Sequence, residues 1–205
     1  MGPTKTYPSD IAFSPAVKEV QRRQGSRAAY ARLEKSGGWN TAIDAALGAF
    51  IADQTSFFLA TANAEGQPYI QHRGGPPGFL RVIDEHTLGF ADFRGNRQYI
   101  SVGNLSENPK VNLFLIDYEE RSRVKIWGEA RVVEDDPALL ASLKVEGYKA
   151  TIERAIVIDV CAWDANCPQH IPQRFDAEDV ARMLARKDET IAELEAQLRA
   201  LRKRS

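Results

Sequence analysis

Three stretches hold residue types that could do chemistry. The first is Gln71-His72-Arg73-Gly74-Gly75-Pro76-Pro77-Gly78, at the exit of a strand-like run. Gln71 and Arg73 share one face by the strand period of two. The glycines behind them permit close backbone approach to a ligand, and the rigid donor fork of arginine suits a phosphate. The same residues also describe a plain Gly/Pro loop with a surface arginine, and both readings stand. The second stretch is Gly95-Asn96-Arg97-Gln98, read as the opening of a helix. Free amides and the dipole at a helix start favour an anion, with Asn96 and Arg97 adding donors. A capped helix with a solvated arginine is the competing reading. The third stretch runs from Trp163 to Arg174, where Trp163, Cys167, His170 and Arg174 gather after the last strand. Cys161, Cys167 and His170 lack a fourth ligand and the close spacing of a zinc site, so no metal is expected. Cys167 and His170, three residues apart on a proline-flanked loop, have poor geometry for a nucleophile and its base.

The elements that must position these residues follow from period and punctuation. Ser14-Pro15 caps and opens a helical run to Leu33, weakened at Gly25 and stopped by Gly37-Gly38. Thr41 with Asp44 opens a second helix, with Ile43, Leu47, Phe50 and Ile51 on one face. From residue 57 the period changes. Strands are predicted over 57–62, 67–73, 79–84, 87–93 and 111–117, then along the alternating 124–132 and 156–162. A short helix is predicted near 137–143, and another between two strands over 95–108. Hairpin-length turns without regular strand–helix–strand alternation argue against a parallel sheet. Closure into a small antiparallel barrel would remove exposed edges. In the tail, Val180, Leu184, Lys187, Ile191, Leu194, Leu198 and Leu201 follow steps of four and three. That is a three-heptad seam about 33 Å long. It suits either a helix zipped to a partner chain or one packed on its own barrel.

Composition sets outer limits. With 27 Lys and Arg against 28 Asp and Glu, the net charge of -1 gives no basis for binding nucleic acid through overall charge. Two cysteines in 205 residues cannot form a disulfide framework, which points to a reducing compartment. There is no apolar run of membrane-spanning length and no signal-peptide core, so a cytoplasmic location is expected. A nucleotide-binding G-x-G-x-x-G, a P-loop, H-E-x-x-H and G-x-S-x-G are all missing. The expected domains are an N-terminal helical segment over 1–53, a barrel over 54–175 and a heptad helix over 176–205.

Taken in order, FFLATANAEGQPYIQHRGG, TLGFADFRGNRQ, NLSENPKVNLFLID and RSRVKIWGEARVVED resemble the pyridoxamine 5'-phosphate oxidase-like, FMN-binding split-barrel family. The resemblance covers residues 57–134 closely. It implies a mainly β fold, an antiparallel split barrel, and a homodimer with FMN sites at the interface. Carried over residue by residue, it places phosphate and ribityl contacts on Gln71, His72, Arg73 and Gly74, with Gln71 where the family has its first arginine. Ala91 and Asp92 would line the ribityl chain or ring. The family's paired basic residues fall on Asn96 and Arg97, and its glutamine before the W-G turn falls on Arg123. Trp163 corresponds to a tryptophan near the flavin. Arg73, Arg97 and Arg123 could offset a phosphate dianion, or Arg123 could stabilise charge on the reduced ring.

Two departures bear on substrate. The family lysine that seats the substrate falls on Pro76. The R-x-H-x-R segment that grips the substrate phosphate is replaced by QHIPQR, with His170 and Arg174 as the substrate-side residues. The resemblance therefore implies an FMN-dependent oxidoreductase acting on a small molecule other than pyridoxamine phosphate. The alternatives are a non-catalytic flavin redox sensor, or the same barrel holding a deazaflavin or haem.

Overall fold

A computed structural model describes residues 6–166 and 168–203. Its centre is one antiparallel sheet. Strand β1 (Ser56–Ala62) alternates strictly, with Phe57, Leu59 and Thr61 buried and Phe58 and Ala60 on the outer face. It pairs with β2 (Pro68–Gly74) on one side and with β5 (Lys110–Asp117) on the other. Strand β6 (Ser122–Val133) and the fifteen-residue β7 (Ile152–Asn166) form the longest ladder. The first half of β7 also pairs with β4 (Thr87–Phe93), which closes a hairpin with β3 (Leu80–Asp84). The strand order is β2-β1-β5-β6-β7-β4-β3.

The expected barrel closure is not made: the hydrogen-bonded order runs from one edge, β2, to the other, β3. Pro68 and the Pro76-Pro77 pair withhold donors at the two ends of β2, which suits an edge. Side chains bridge from β2 and β1 to the β3–β4 side instead of backbone. Arg73 pairs with Asp92, and Phe57 packs between Phe79 and Phe90 at centroid distances of 5.6 and 5.2 Å. The result is a split barrel around a core of Leu59, Leu88, Leu113, Ile126, Ile156 and Ile158.

Helix α1 (Pro15–Arg23) starts as expected, with the Val17 amide donating to Ser14 Oγ at 3.3 Å. Gly25, at φ +76°, separates it from α2 (Arg27–Lys35). Helix α3 (Ala45–Asp53) begins later than the Thr41 start predicted. Asp44 takes the cap and accepts from the Leu47 amide at 2.8 Å. Trp39, just after α2, stacks on Trp127 of β6 at 4.6 Å and so ties the helical start to the sheet. Helix α4 (Ile100–Glu107) lies between β4 and β5 in the chain and is fastened to the barrel by two polar contacts. Ser101 Oγ donates to Gln71 Oε1 at 2.8 Å, and Asn104 Nδ2 donates to Thr61 Oγ1 at 2.9 Å. Helix α5 (Pro137–Ser142) is capped by Asp136 and packs Leu139 and Leu140 against Ala91 and Ala155. Helix α6 (Ala177–Arg202) buries none of its residues.

The chain divides into two compact units: Met1–Ile116 with Arg123–Cys167, and Asp117–Ser122 with Pro168–Ser205. No described helix is long and apolar enough to cross a membrane.

Candidate functional site

The sheet register brings residues distant in sequence to one place. On β2, Gln71 and Arg73 face the same side, as the strand period requires. On β4, Asp92 is only 6% exposed and is paired in register with Arg154 of β7. The Arg73 guanidinium donates to Asp92, and Arg154 Nε lies 3.7 Å from the other carboxylate oxygen. One buried carboxylate thus holds two arginines. Arg154 also reaches Glu134 at 3.2 Å and Glu153 at 3.4 Å, and its guanidinium sits 5.0 Å over the Tyr99 ring. Buried ions persist only when paired and hydrogen-bonded.

A small, open cleft lies here, lined by Gln71, Arg73, Asp92, Asn96, Arg97 and Tyr99 among others. A second, larger cleft shares Gln71 and Arg73 with it and adds His72, Gly74 and Ala91. Eight of the ten cofactor-side residues predicted from sequence therefore line two adjoining clefts. Arg123 and Trp163 do not. Arg123 pairs in register with Asn166, at the far end of β7 from Arg154. Twelve residues of strand separate those ends, roughly 40 Å if fully extended. Trp163 is buried in the core and donates from Nε1 to the Ala42 carbonyl at 2.8 Å. His170 and Arg174 belong to the other compact unit. There the Arg174 guanidinium lies 4.6 Å over the Tyr118 ring and its amide donates to the Tyr118 carbonyl. Cys167 lies outside the described residues, and with it the expectations about a cysteine–histidine pair and a zinc set.

Two details correct the sequence reading. Gly95 to Gln98 form a loop, not the first turn of a helix, because α4 begins at Ile100. Arg97 (φ 62°) and Tyr99 (φ 53°) both adopt the left-handed region in this loop, which is uncommon for side chains of their size. Arg97 Nε donates to the Tyr99 hydroxyl at 3.1 Å. That bond, and then the Tyr99 and Glu153 charges, hold its pKa above the ordinary arginine value. The second correction concerns Gly75. A Cβ there would lie 2.6 Å from the Phe79 ring, so its close approach serves internal packing.

Sequence reasoning missed Arg154, Tyr99 and Glu153. The signal for Arg154 was present. Extending the alternation of Ile156, Ile158 and Val160 back by two residues puts Arg154 on the buried face. Tyr99 and Glu153 meet only through the fold, and no local pattern marks them.

The geometry suits an anion. Arg73 Nε and Arg154 Nε are buried and have no hydrogen-bond partner, and an unsatisfied buried donor is costly unless a ligand or water takes it. Around them, the guanidiniums of Arg73, Arg94, Arg97 and Arg154 face the carboxylates of Asp92, Glu134 and Glu153.

Comparison with known proteins agrees with this architecture. The family model of pyridoxamine 5'-phosphate oxidase matches residues 43–174. The chain belongs to that family, on a match spanning well over half its length. HupZ of Group A Streptococcus has the same fold, at 20% identity and a TM-score of 0.50, over 65% of this chain and 99% of that one. An FMN-binding protein from Syntrophomonas wolfei is 13% identical with a TM-score of 0.48, over 73% of this chain and 96% of that one. General Stress Protein 26 from Bacillus anthracis is 16% identical with a TM-score of 0.42, over 57% of this chain and 88% of that one. No curated protein matches the chain.

Proposed function

We propose that the protein is an FMN-dependent oxidoreductase whose substrate is a small molecule other than pyridoxamine phosphate. The observation that carries this reading is that the buried Nε donors of Arg73 and Arg154 make no hydrogen bond, beside clefts lined by eight family-matched positions. When bound, a flavin supplies the electron or hydride transfer. This chain's residues bind and orient. Arg73 and Arg154 offer fixed, preorganised positive charge to the phosphate, and Asp92 keeps both guanidiniums in place. Gln71, held by Ser101, and Asn96 add neutral polar groups along the cleft. The substrate side is assigned to His170 and Arg174, whose segment lacks the spacing that grips a substrate phosphate.

The same reading makes the protein a homodimer with cofactor sites at the interface. The outer face of β2-β1-β5 supports this. It carries Ile70, 65% exposed, with Phe58, Phe114 and Ile116 half-buried beside it. An apolar sheet face of that kind fits an interface. Arg123, remote from the cleft within one chain, would then serve the site of a second chain, while Trp163, buried with its Nε1 donating to the Ala42 carbonyl, stays in the core.

The test is the absorption spectrum of the purified protein before and after a mild reductant, followed by titration with FMN. Flavin bands that bleach on reduction, or saturable binding of added FMN, are expected. Absence of both flavin absorbance and FMN binding would overturn the proposal. A haem Soret band, or binding of a deazaflavin in preference to FMN, would reassign the cofactor.

A further inference from the structure

Helix α6 leaves its whole apolar stripe exposed. Leu184, Ile191, Leu194, Leu198 and Leu201 are 52–63% exposed, and Val180 is 37% exposed. In heptad terms Leu184, Ile191 and Leu198 occupy a, while Val180, Lys187, Leu194 and Leu201 occupy d. Scattered exposed leucines need no explanation, but a continuous stripe of this period does. We propose that α6 pairs with α6 of a second copy as a parallel, in-register, two-stranded coiled coil.

Charge complementarity argues for a second copy of this helix and for the parallel direction. In a parallel pair each g residue faces the e residue five positions on in the other helix. Those pairs are Met183 with Asp188, Thr190 with Glu195 and Gln197 with Arg202, and none sets like charges together. In this register the two Lys187 side chains share one d layer, each in a hole bordered by Leu184, Lys187, Asp188 and Ile191 of the second copy, and an Asp188 carboxylate beside each lysine offsets the like charge. Antiparallel registers that keep the seam in contact set Asp188 against Asp188 or Asp188 against Glu195 of the other helix, at a cost in like-charge repulsion. Within one chain α6 pairs Arg182 with Asp179 and Glu178, and Arg199 with Glu195. Lys187 and Asp188 form no ion pair among the described residues. They are the unused complementary charges at the middle of the seam.

The pairing needs no flavin and stands apart from the proposed function. The test uses the full chain with Cys161→Ser and Cys167→Ser as background. Leu201→Cys in that background should form a disulfide-linked dimer under mild oxidation on a non-reducing gel. Arg199→Cys, at an outward b position, should not. Lys187→Glu should lower cross-linking at Leu201→Cys about threefold, and adding Asp188→Lys should restore it. No cross-link at Leu201→Cys, or equal cross-linking at Arg199→Cys, would overturn the proposal. So would a double reversal that fails to restore pairing. Flavin absorbance read on the same samples reports the proposed function separately.

Discussion

At the scale of single residues, Asp92 is the hinge of the site. Among the described residues it is the one carboxylate that touches both Arg73 and Arg154. Asp92→Asn should therefore cost about 3–5 kcal/mol of stability, because the buried Arg73 guanidinium loses its counter-charge, while Arg154 keeps Glu134 and Glu153. Urea unfolding would measure it, and a change under about 1 kcal/mol would remove Asp92 from that role. Arg73→Ala should weaken FMN binding by about 1.5–3 kcal/mol, the range for a hydrogen bond to a charged group. Fluorescence titration reads this directly. Asp10 gives a pH test. Its hydrogen bonds from Lys18 and from the Tyr7 amide hold its pKa below the ordinary 3.8. A lowered folded-state value means the stabilisation is complete above 3.8 and lost as pH falls through the folded-state value. Asp10→Asn should lower the melting temperature at neutral pH, and the gap from the parent should close in acid. Cys161 behaves oppositely. Burial first, then the Glu129 and Asp159 charges, push its thiol pKa up from 9.0, so it should react slowly with thiol reagents at neutral pH.

At the scale of elements, most strands and helices were legible because each follows its own period. Phe57 to Ala62 alternates, and the structure alternates with it. The short helix predicted near 137–143 begins at Pro137, behind the Asp136 cap. The failures have identifiable causes. Gly95 to Gln98 looked like a helix start because Tyr99 and Ile100 continue a helical spacing. Tyr99 instead takes the left-handed region and delays the helix to Ile100. The opening of the barrel was implied by the family resemblance alone, because pairing order depends on long-range contacts, not on any strand's own pattern. The cluster around Asp92 was half legible. Gln71 and Arg73 were legible from the strand period and Asp92 from its family position, while the alternation of β7 placed Arg154 on the buried face and only the register of β4 with β7 sets it against Asp92. Gly128 marks one more place where sequence and sheet meet, at the bulge between Trp127 and Gly128. A Cβ there would lie 2.5 Å from the Asp159 carbonyl oxygen. Gly128→Ala should destabilise the protein by about 1–3 kcal/mol, as forced overpacking does, and a thermal melt would show it.

At the scale of the whole molecule, strand β7 joins two parts that otherwise share no backbone ladder. It is the last strand in sequence, yet it sits inside the order β2-β1-β5-β6-β7-β4-β3. Before residues 152–166 arrive, the β3–β4 hairpin has no neighbour and β6 has an open edge. Closing those gaps brings residue 159 against residue 87 and residue 166 against residue 123. Contacts of such sequence separation slow folding into the millisecond-to-second range typical of β-rich topologies. A chain stopped just short of β7 would expose two unpaired edges, the kind of surface on which chains associate wrongly. Chain order therefore makes the final strand a checkpoint: both halves of the candidate site, Asp92 on β4 and Arg73 on β2, are held in one sheet only after it has been added.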